Sequence, residues 1–381
     1  MNILEITFIP PSKDSGGGLG VYQSIRSLAY NGNVDYIGPE YNQNIFCECP
    51  NTVNNIAILN AKRSGIFKIM YRLFVNKVST SFYDQWLVAK RGIEWEKYDF
   101  IHIEFSRYEF LVEECHRHNK KCMIRIHNIE KDYLYSLFRL SQKFLDFLRY
   151  KSFEINEKAV FSKADFFIFI TNNDIKRANE LYGIKNSKIG LNPVCLDQAD
   201  VIQSMKTHCK TVLMTGSLSY GPNAEGIIWF IEHVWGEIEP LETDVNLLIA
   251  GSYPGTELIE AVSHYRKIKL IDTPEVMSPY FNSSDLYVAS VFAGAGMKVK
   301  VAEALSYGLP VIGTKHAFIG YENISYGKFE ANTKEEFVNV IRNLCHTGNG
   351  IREKIIKEFQ LHFSMKSSCE RYKKYISEVV K

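Results

Sequence analysis

Lys298, Lys300 and Glu303 follow a glycine turn at Gly294 and Gly296, in the stretch Phe292 to Thr314 (FAGAGMKVKVAEALSYGLPVIGT), directly behind an apolar run. Glycines let backbone N–H groups approach an anion closely, and a helix N-terminus adds unpaired donors and the positive end of the macrodipole. The two lysines bring cationic charge to the same place. Glu303 lies three residues past Lys300, on the same helical face, where a carboxylate can accept hydrogen bonds from the two hydroxyls of a ribose. Together these residues suit a nucleoside diphosphate. Taken alone, they fit an amphipathic helix with solvated lysines equally well.

Three other places could carry chemistry. Ser15 to Gly20 (SGGGLG) reads as a glycine loop before a helix starting at Val21, open to a phosphate or sugar, with a plain surface loop as the alternative. His127 and Asn128 end the run MIRIHN, with the histidine placed to donate to a sugar hydroxyl or to move a proton; a core histidine satisfied by the backbone is the competing reading. Gly216 to Gly226 (GSLSYGPNAEG) offers Ser217, Ser219 and Asn223 to phosphate oxygens, although Pro222 and Asn223 equally suit a turn and cap before a helix from Ala224 to Val234.

The elements that must position these residues follow an alternating rhythm. Ile3 to Ile9, Val34 to Ile37, Thr52 to Ile58, Phe100 to Glu104, Cys122 to His127 and Phe166 to Thr171 read as strands, with amphipathic segments such as Tyr108 to His118 and Asn173 to Leu181 between them. The pattern weakens across Asp197 to Lys210. It then restarts with Thr211 to Thr215, Val245 to Ala250, Lys267 to Ile271, Leu286 to Ala289 and Val311 to Gly313. That is the signature of doubly wound α/β sheets, whose ligands sit beyond the carboxyl ends of the strands. A chain of 381 residues exceeds one ordinary core, so two domains are expected, 1–200 and 201–364, with a C-terminal helix in 365–381 packing back on the first.

Composition excludes several classes. With 46% hydrophobic and 23% charged residues the chain can bury two cores, and a net charge of +2 gives no reason to expect nucleic acid as a partner. No apolar run reaches the length of a membrane span, and Met1 leads straight into a strand, so a cytoplasmic location is expected. The 8 cysteines lack a framework spacing and suit reduced thiols. Cys115, His116, His118 and Cys122 superficially resemble metal ligands, but the histidines read as the exposed end of a helix, so no metal and no cofactor are expected.

The order of GGGLG, HNIEKDY, GSLSYGPNAEG and GAGMKVKVAEALSYGLPVIGT resembles the family 4 retaining glycosyltransferases with the GT-B fold, over nearly the whole chain and most specifically in the last two motifs. The resemblance implies two Rossmann-like domains facing across a cleft, the N-terminal one for the acceptor and the C-terminal one for a nucleotide-sugar donor. It implies donor-binding roles for Gly17, Gly18, Gly216, Ser217, Asn223, Gly294, Gly296, Met297, Lys298, Lys300 and Glu303. Within that set Glu303 would hold the ribose and Lys300, with Lys298, the diphosphate. His127 would serve the transferred sugar, so His127, Lys300 and Glu303 are the expected catalytic residues. Asp272 to Glu275 falls where the family's base-binding loop lies. The implied reaction moves a hexose-type sugar, from a uridine carrier ahead of a guanosine one, with retention, in O-antigen or capsule synthesis.

This chain departs from the family pattern in two ways. Ala295 stands where members often carry a glutamate eight positions before Glu303, and Ser217 to Asn223 contains no cation where many members have an arginine and a lysine. Lys298 could replace the lost charge. A non-catalytic glycan-binding relative and a nucleotide-sugar epimerase or phosphorylase are the rival readings. Glu104 and Glu130 lie near strand ends as candidate bases, with surface or salt-bridge roles expected instead. Lys62 to Lys77 and Arg139 to Lys158 interleave basic and aromatic residues, as segments lying on an anionic membrane do, so a glycan or polyprenyl-linked glycan acceptor and peripheral contact with the inner membrane face are expected. For the Arg139 segment, packing of its apolar face within the first domain is the preferred reading.

Overall fold

The computed structural model describes residues 1–13, 16–60, 67, 71, 82–184, 188–201, 211–219, 221–242, 244–294, 296–347 and 351–381. Most of the Lys62 to Lys77 segment, Ser15, Tyr220 and Ala295 therefore lie outside the described residues. The chain divides into two compact units, Met1–Pro193 with Ser368–Lys381, and Val194–Ser367.

The first unit is built on a parallel sheet of seven strands, β1 (Asn2–Ile6), β2 (Asn33–Gly38), β3 (Val53–Ile58), β4 (Phe100–Glu104), β5 (Cys122–Ile126), β6 (Phe166–Phe169) and β7 (Ile189–Leu191), in the order β3-β2-β1-β4-β5-β6-β7. The central strands β4 (FIHIE), β5 (CMIRI) and β6 (FFIF) are buried at every position, as a parallel sheet covered on both faces requires. β3 alternates partly buried and exposed residues, which marks it as the edge. One face packs against Phe82, Trp86, Trp95 and Phe153. The other is covered by the C-terminal helix Met365–Val380, whose Tyr372, Tyr375, Ile376 and Val379 meet Ile3, Val34, Phe100, Met123 and Ile168.

The second unit holds a six-stranded parallel sheet, β8 (Thr211–Ser217), β9 (Asn246–Ser252), β10 (Ile268–Asp272), β11 (Leu286–Ala289), β12 (Val311–Gly313) and β13 (Lys328–Glu330), in the order β10-β9-β8-β11-β12-β13. Trp235, Phe230, Phe337 and Ile341 fill its core with Val212, Leu247, Ile249 and Val288. The short strands β7 and β13 are additions to the sequence reading; three residues are too few for a period to register. Among the described residues no helix is long and apolar enough to cross a membrane.

Both sheets reverse their winding once, between β1 and β4 in the first unit and between β8 and β11 in the second. At such a switch point the loops leaving two adjacent strands diverge and leave a crevice at their carboxyl ends. The candidate residues lie after β1, β4 and β5 in one unit and after β8 and β11 in the other.

Candidate functional sites of the two units

In the second unit, β11 leads through the glycine turn into the helix Val299–Ser306. Gly294 (φ 98°) and Gly296 (φ 71°) occupy the left-handed region, which explains glycine at both positions. The turn is tied by its own side chains. Lys298 Nζ donates to the carbonyls of Gly294 (2.8 Å) and Gly296 (3.0 Å), and His316 Nε2 lies 2.7 Å from the Gly294 carbonyl. Buried Tyr321 donates to the Lys298 carbonyl (2.8 Å) and accepts from the Ala302 amide (2.9 Å), clamping the first turn of the helix. Lys298 thus braces the turn with its ammonium, a role the sequence reading did not foresee. Met297 is buried.

Lys300 reaches the other side of the switch point. Its Nζ donates to Asn223 Oδ1 at 2.9 Å, and Asn223 Nδ2 donates to the Ser217 carbonyl at 3.3 Å, so the loops after β8 and β11 are joined through one lysine and one asparagine. A Cβ at Gly216 (φ 149°) would stand 2.9 Å from Asn223 Nδ2 and displace the amide that holds Lys300. Ser217 and Ser219 are exposed with their hydroxyls 3.3 Å apart. The helix here begins at Gly221, three positions before the expected start, so Pro222 and Asn223 form its first turn, where proline loses no hydrogen bond.

Burial lowers the Lys300 ammonium to about 8, helped by the nearby charge of Lys298, and burial alone lowers Lys298 to about 8. Burial likewise raises the Glu303 carboxyl to about 7. Lys300 and Glu303 sit on one helical face, yet among the described residues no ion pair joins them and the Glu303 carboxylate has no hydrogen-bond partner. Two half-buried, mutually unpaired groups of opposite charge therefore stand at the switch point. Asp272 to Glu275 leaves the end of β10, where Thr273 Oγ1 donates to Asp272 Oδ1 (2.6 Å) and accepts from the amide of exposed Tyr253 (3.1 Å).

In the first unit the glycine run differs from expectation. The helix starts at Gly16, so Gly17 and Gly18 lie in its first turn, where amide groups have no intrahelical acceptor. Further along, Gly20 packs on His127: a Cβ there would fall 2.4 Å from Cε1 and 2.8 Å from Nδ1. His127 is itself buried, with Nε2 hydrogen-bonded to Glu104 and its ring stacked on Phe105 at 4.0 Å and 17°. Burial pushes the His127 ring below its ordinary value. Burial opposes ionisation of Glu104, but His127, His102 and Arg125 outweigh it and hold that carboxyl below its ordinary value. The pair is thus a carboxylate accepting Nε2–H from a neutral imidazole, and Nδ1 keeps its lone pair on the edge that Gly20 leaves clear.

Glu104 and Glu130 are not surface groups. Both are fully buried, Glu104 on His127, and Glu130 in an ion pair with Arg107 (3.0 Å), whose guanidinium lies over Phe8 and Phe105. Phe105 takes φ 71°, a left-handed conformation that is strained for an aromatic residue and places its ring on His127. Beneath them runs a buried polar network: His102 Nδ1 lies 2.6 Å from Glu5 Oε2, while Arg125 donates to Gln23 Oε1 and Tyr372 (both 3.3 Å) and Tyr372 donates to Ser24 (3.0 Å). Burial and then the charge of Glu104 push Glu5 well up, and burial lowers His102 to about 4, so the ionised members are Glu104 and Arg125. Sequence reading missed Phe105, Arg107, Glu104 as a partner of His127, His316 and Tyr321. Only the placement of charged residues inside apolar strand runs signalled any of them.

Of the Arg139 to Lys158 segment, Tyr150 and Phe153 are buried and Phe147 packs on Phe138, while Leu140 and Phe144 are 84% and 67% exposed at the turn between the helices Glu130–Ser141 and Phe144–Lys163.

Residues 209–347, within the second unit, match the family described as Glycosyl transferases group 1. Over 273 residues the chain is 25% identical to an uncharacterized 44.6 kDa protein in the cps region of Klebsiella pneumoniae, covering 68% of each. The whole chain superposes on solved glycosyltransferase structures. Anabaena Alr3699/HepE in complex with UDP gives a TM-score of 0.70 at 13% identity, covering 99% of this chain and 100% of that one. A glycosyltransferase from Rickettsia africae gives 0.65 at 14%, covering 100% and 98%, and WaaG, a glycosyltransferase of lipopolysaccharide biosynthesis, gives 0.61 at 14%, covering 98% of each. The fold is that of the GT-B glycosyltransferases, two Rossmann-like units each with a doubly wound parallel sheet.

Proposed function

We propose that this protein is a glycosyltransferase that moves a hexose-type sugar from a UDP-linked donor to a glycan or lipid-linked glycan acceptor during capsule or O-antigen synthesis, with retention of anomeric configuration. The observation that carries the reading is the pair Lys300 and Glu303, half-buried on one helical face at the switch point of the second unit and unpaired with each other. A buried ammonium and carboxyl are costly unless a ligand completes them. A nucleoside diphosphate does so: its phosphates receive Lys300 and the amides at the start of the helix, and its ribose hydroxyls donate to Glu303. The group 1 glycosyltransferase match, the UDP complex of a protein with the same fold, and the cps-region relative all support it.

Cleaving the bond between sugar and phosphate builds positive charge on the anomeric carbon and negative charge on the departing diphosphate. A fixed cation and helix-terminal N–H groups that strengthen as that charge develops lower the barrier, each well-aimed donor by on the order of 3 kcal/mol. In this reading the leaving phosphate takes the proton of the acceptor hydroxyl. His127 serves the transferred sugar, with Glu104 fixing its tautomer. No metal or cofactor takes part. The enzyme works in the cytoplasm, and exposed Leu140 and Phe144, beside Arg139 and Lys143, support contact with a membrane carrying the acceptor.

A thermal-shift series with UDP, GDP and their sugar conjugates, followed by product analysis with polyprenyl-linked glycans, tests the proposal. Stabilisation by a UDP-sugar and acceptor-dependent release of UDP are expected. Tight nucleotide binding without turnover on any acceptor would leave a binding protein instead, and epimerised donor without acceptor would make it an epimerase.

A further inference from the structure

At the amino end of β5, three donors from three separate segments converge. His116 lies in the helix Glu109–Arg117, Cys122 is the first residue of β5, and Asp165 stands just before β6. Asp165 Oδ2 is 3.0 Å from His116 Nε2 and 3.6 Å from Cys122 Sγ, and one donor atom from each of the three residues lies within 4.8 Å of the others. A tetrahedral zinc with bonds of about 2.0–2.3 Å needs donor separations of roughly 3.3–3.8 Å. The 3.6 Å separation falls in that range, and the 3.0 Å one, a hydrogen-bond length, opens to it by a few tenths of an ångström once a metal replaces the shared proton. We propose that His116, Cys122 and Asp165 form a binding site for a zinc-like divalent cation that fastens this helix to β5 and β6.

The donor chemistry is one nitrogen, one sulfur and one oxygen, the borderline set that zinc accepts. Binding releases the Cys122 thiol proton to solvent, and the His116 ring ligates through Nε2 as its Nδ1–H tautomer. The Cys122 amide donates to Asp165 Oδ2 at 2.9 Å and so orients the carboxylate, as groups behind metal ligands commonly do. The side chains of His116 and Asp165 are 41% and 30% exposed, which leaves an entry path from solvent. His118, which the local spacing also suggests, takes no part, because its ring stacks on Trp95 at 4.5 Å and 3°. Asp165 is 43 positions from Cys122, so no local motif could include it.

The site lies at the opposite end of β5 from His127, roughly 16 Å away along the strand, so its metal is structural and not catalytic. The full chain, stripped with chelator and reductant, is titrated with Co²⁺ alone and then with Zn²⁺. One equivalent of Co²⁺ giving a thiolate-to-metal charge-transfer band, displaced by Zn²⁺, is expected. Cys122→Ser should abolish the band, and His116→Ala, a change at an exposed position that keeps the fold, should weaken binding at least tenfold. Cys47→Ser, which removes an exposed thiol elsewhere, should change nothing. Zn²⁺ should also raise the unfolding midpoint of the wild-type chain and not that of His116→Ala. Absence of the band, its survival in Cys122→Ser, or wild-type affinity in His116→Ala would overturn the proposal.

Discussion

Replacing Lys300 by methionine separates two effects that most binding-site changes confound. The side chain keeps its length and loses its charge. With the diphosphate bound, Lys300 supplies a charge-assisted hydrogen bond worth about 1.5–3 kcal/mol, so UDP affinity should fall roughly 10- to 150-fold. Without ligand, the same ammonium is a liability. Its fall from an ordinary 10.5 to about 8 corresponds to at most ~3 kcal/mol at pH 7, reduced toward ~1 kcal/mol by the solvent contact of a half-buried side chain. In the window between about 8 and 10.5 the unfolded chain holds this proton and the folded chain does not, so stability from this group rises with pH there; below 8 the full cost of the buried charge applies. Lys300→Met should therefore melt at a higher temperature than wild type at pH 7 when unliganded, the difference closing toward pH 10.

The same titration shapes binding. With a value near 8, Lys300 is ~91% protonated at pH 7 and ~9% at pH 9, so wild-type affinity for UDP should drop about tenfold across that range. A phosphate's own second proton, with a value of about 6, is already gone. Because the ligand favours the charged form, binding at pH 8 should take up as much as ~0.5 proton per UDP, measured by calorimetry in buffers of different ionisation enthalpy. In Lys300→Met the pH slope should flatten to what Lys298 contributes. Affinity within twofold of wild type, or an unchanged slope, would refute the assignment of Lys300 to the diphosphate.

Glu303→Gln should show the complementary pattern. The folded value near 7 lies above the ordinary 4.5, so the folded chain holds the extra proton between them and this group's contribution to stability falls as pH rises through that window; the melting temperature of the variant should fall less steeply there than that of the wild type. The wild type should prefer UDP over its 2′-deoxy analogue by roughly tenfold, a preference absent from the variant, and equal discrimination by both would place the ribose elsewhere. His127→Ala should slow turnover by at least ~10²-fold with UDP affinity within twofold, and Glu104→Gln should act in the same direction; a loss of UDP affinity instead would assign the pair to nucleotide binding. Gly20→Ala places a methyl 2.4 Å from His127 Cε1 and should reproduce the turnover defect without removing any polar group, so full activity in it would show that the orientation of His127 is unimportant.

The sheets were legible because their central strands are short apolar runs at regular intervals. Phe100 to Glu104, Leu286 to Ala289 and Val311 to Gly313 match the observed strands at both ends. Edges were not legible: β7 and β13 are too short to show a period. The helix starting at Gly16 was hidden because glycine is a poor helix former, and only a first turn tolerates several without losing hydrogen bonds. Side-chain partnerships were hidden for a different reason. Nothing local reveals that Lys298 turns back on the carbonyls of Gly294 and Gly296, that Glu104 meets His127 across two strands, or that Phe105 adopts a positive φ; each depends on burial and on neighbours distant in sequence.

The two units use the same topology and opposite electrostatics. In the first, the buried charged groups around β4 and β5 each face a protein partner: Glu104 hydrogen-bonds His127, Glu130 pairs in charge with Arg107, and Arg125 donates to Gln23 and Tyr372, while among the described residues Glu104 Oε1, Arg125 Nε and both Glu130 oxygens lack a hydrogen bond. Removing one partner strands the other without water, so substitutions there should lower stability together with activity. In the second, Lys300 donates to the neutral oxygens of Asn223 and Thr215 and Glu303 has no hydrogen-bond partner among the described residues, so neither meets an opposite charge that offsets its desolvation until a ligand arrives. Substitutions there should raise the stability of the empty protein while lowering the stabilisation that UDP provides. Melting temperatures with and without UDP thus sort a variant to one unit or the other by sign alone, whatever its effect on turnover. If Lys300→Met and Glu303→Gln destabilised the empty protein as Glu104→Gln does, the second site would be another internally partnered network, and its case as a nucleotide site would fall.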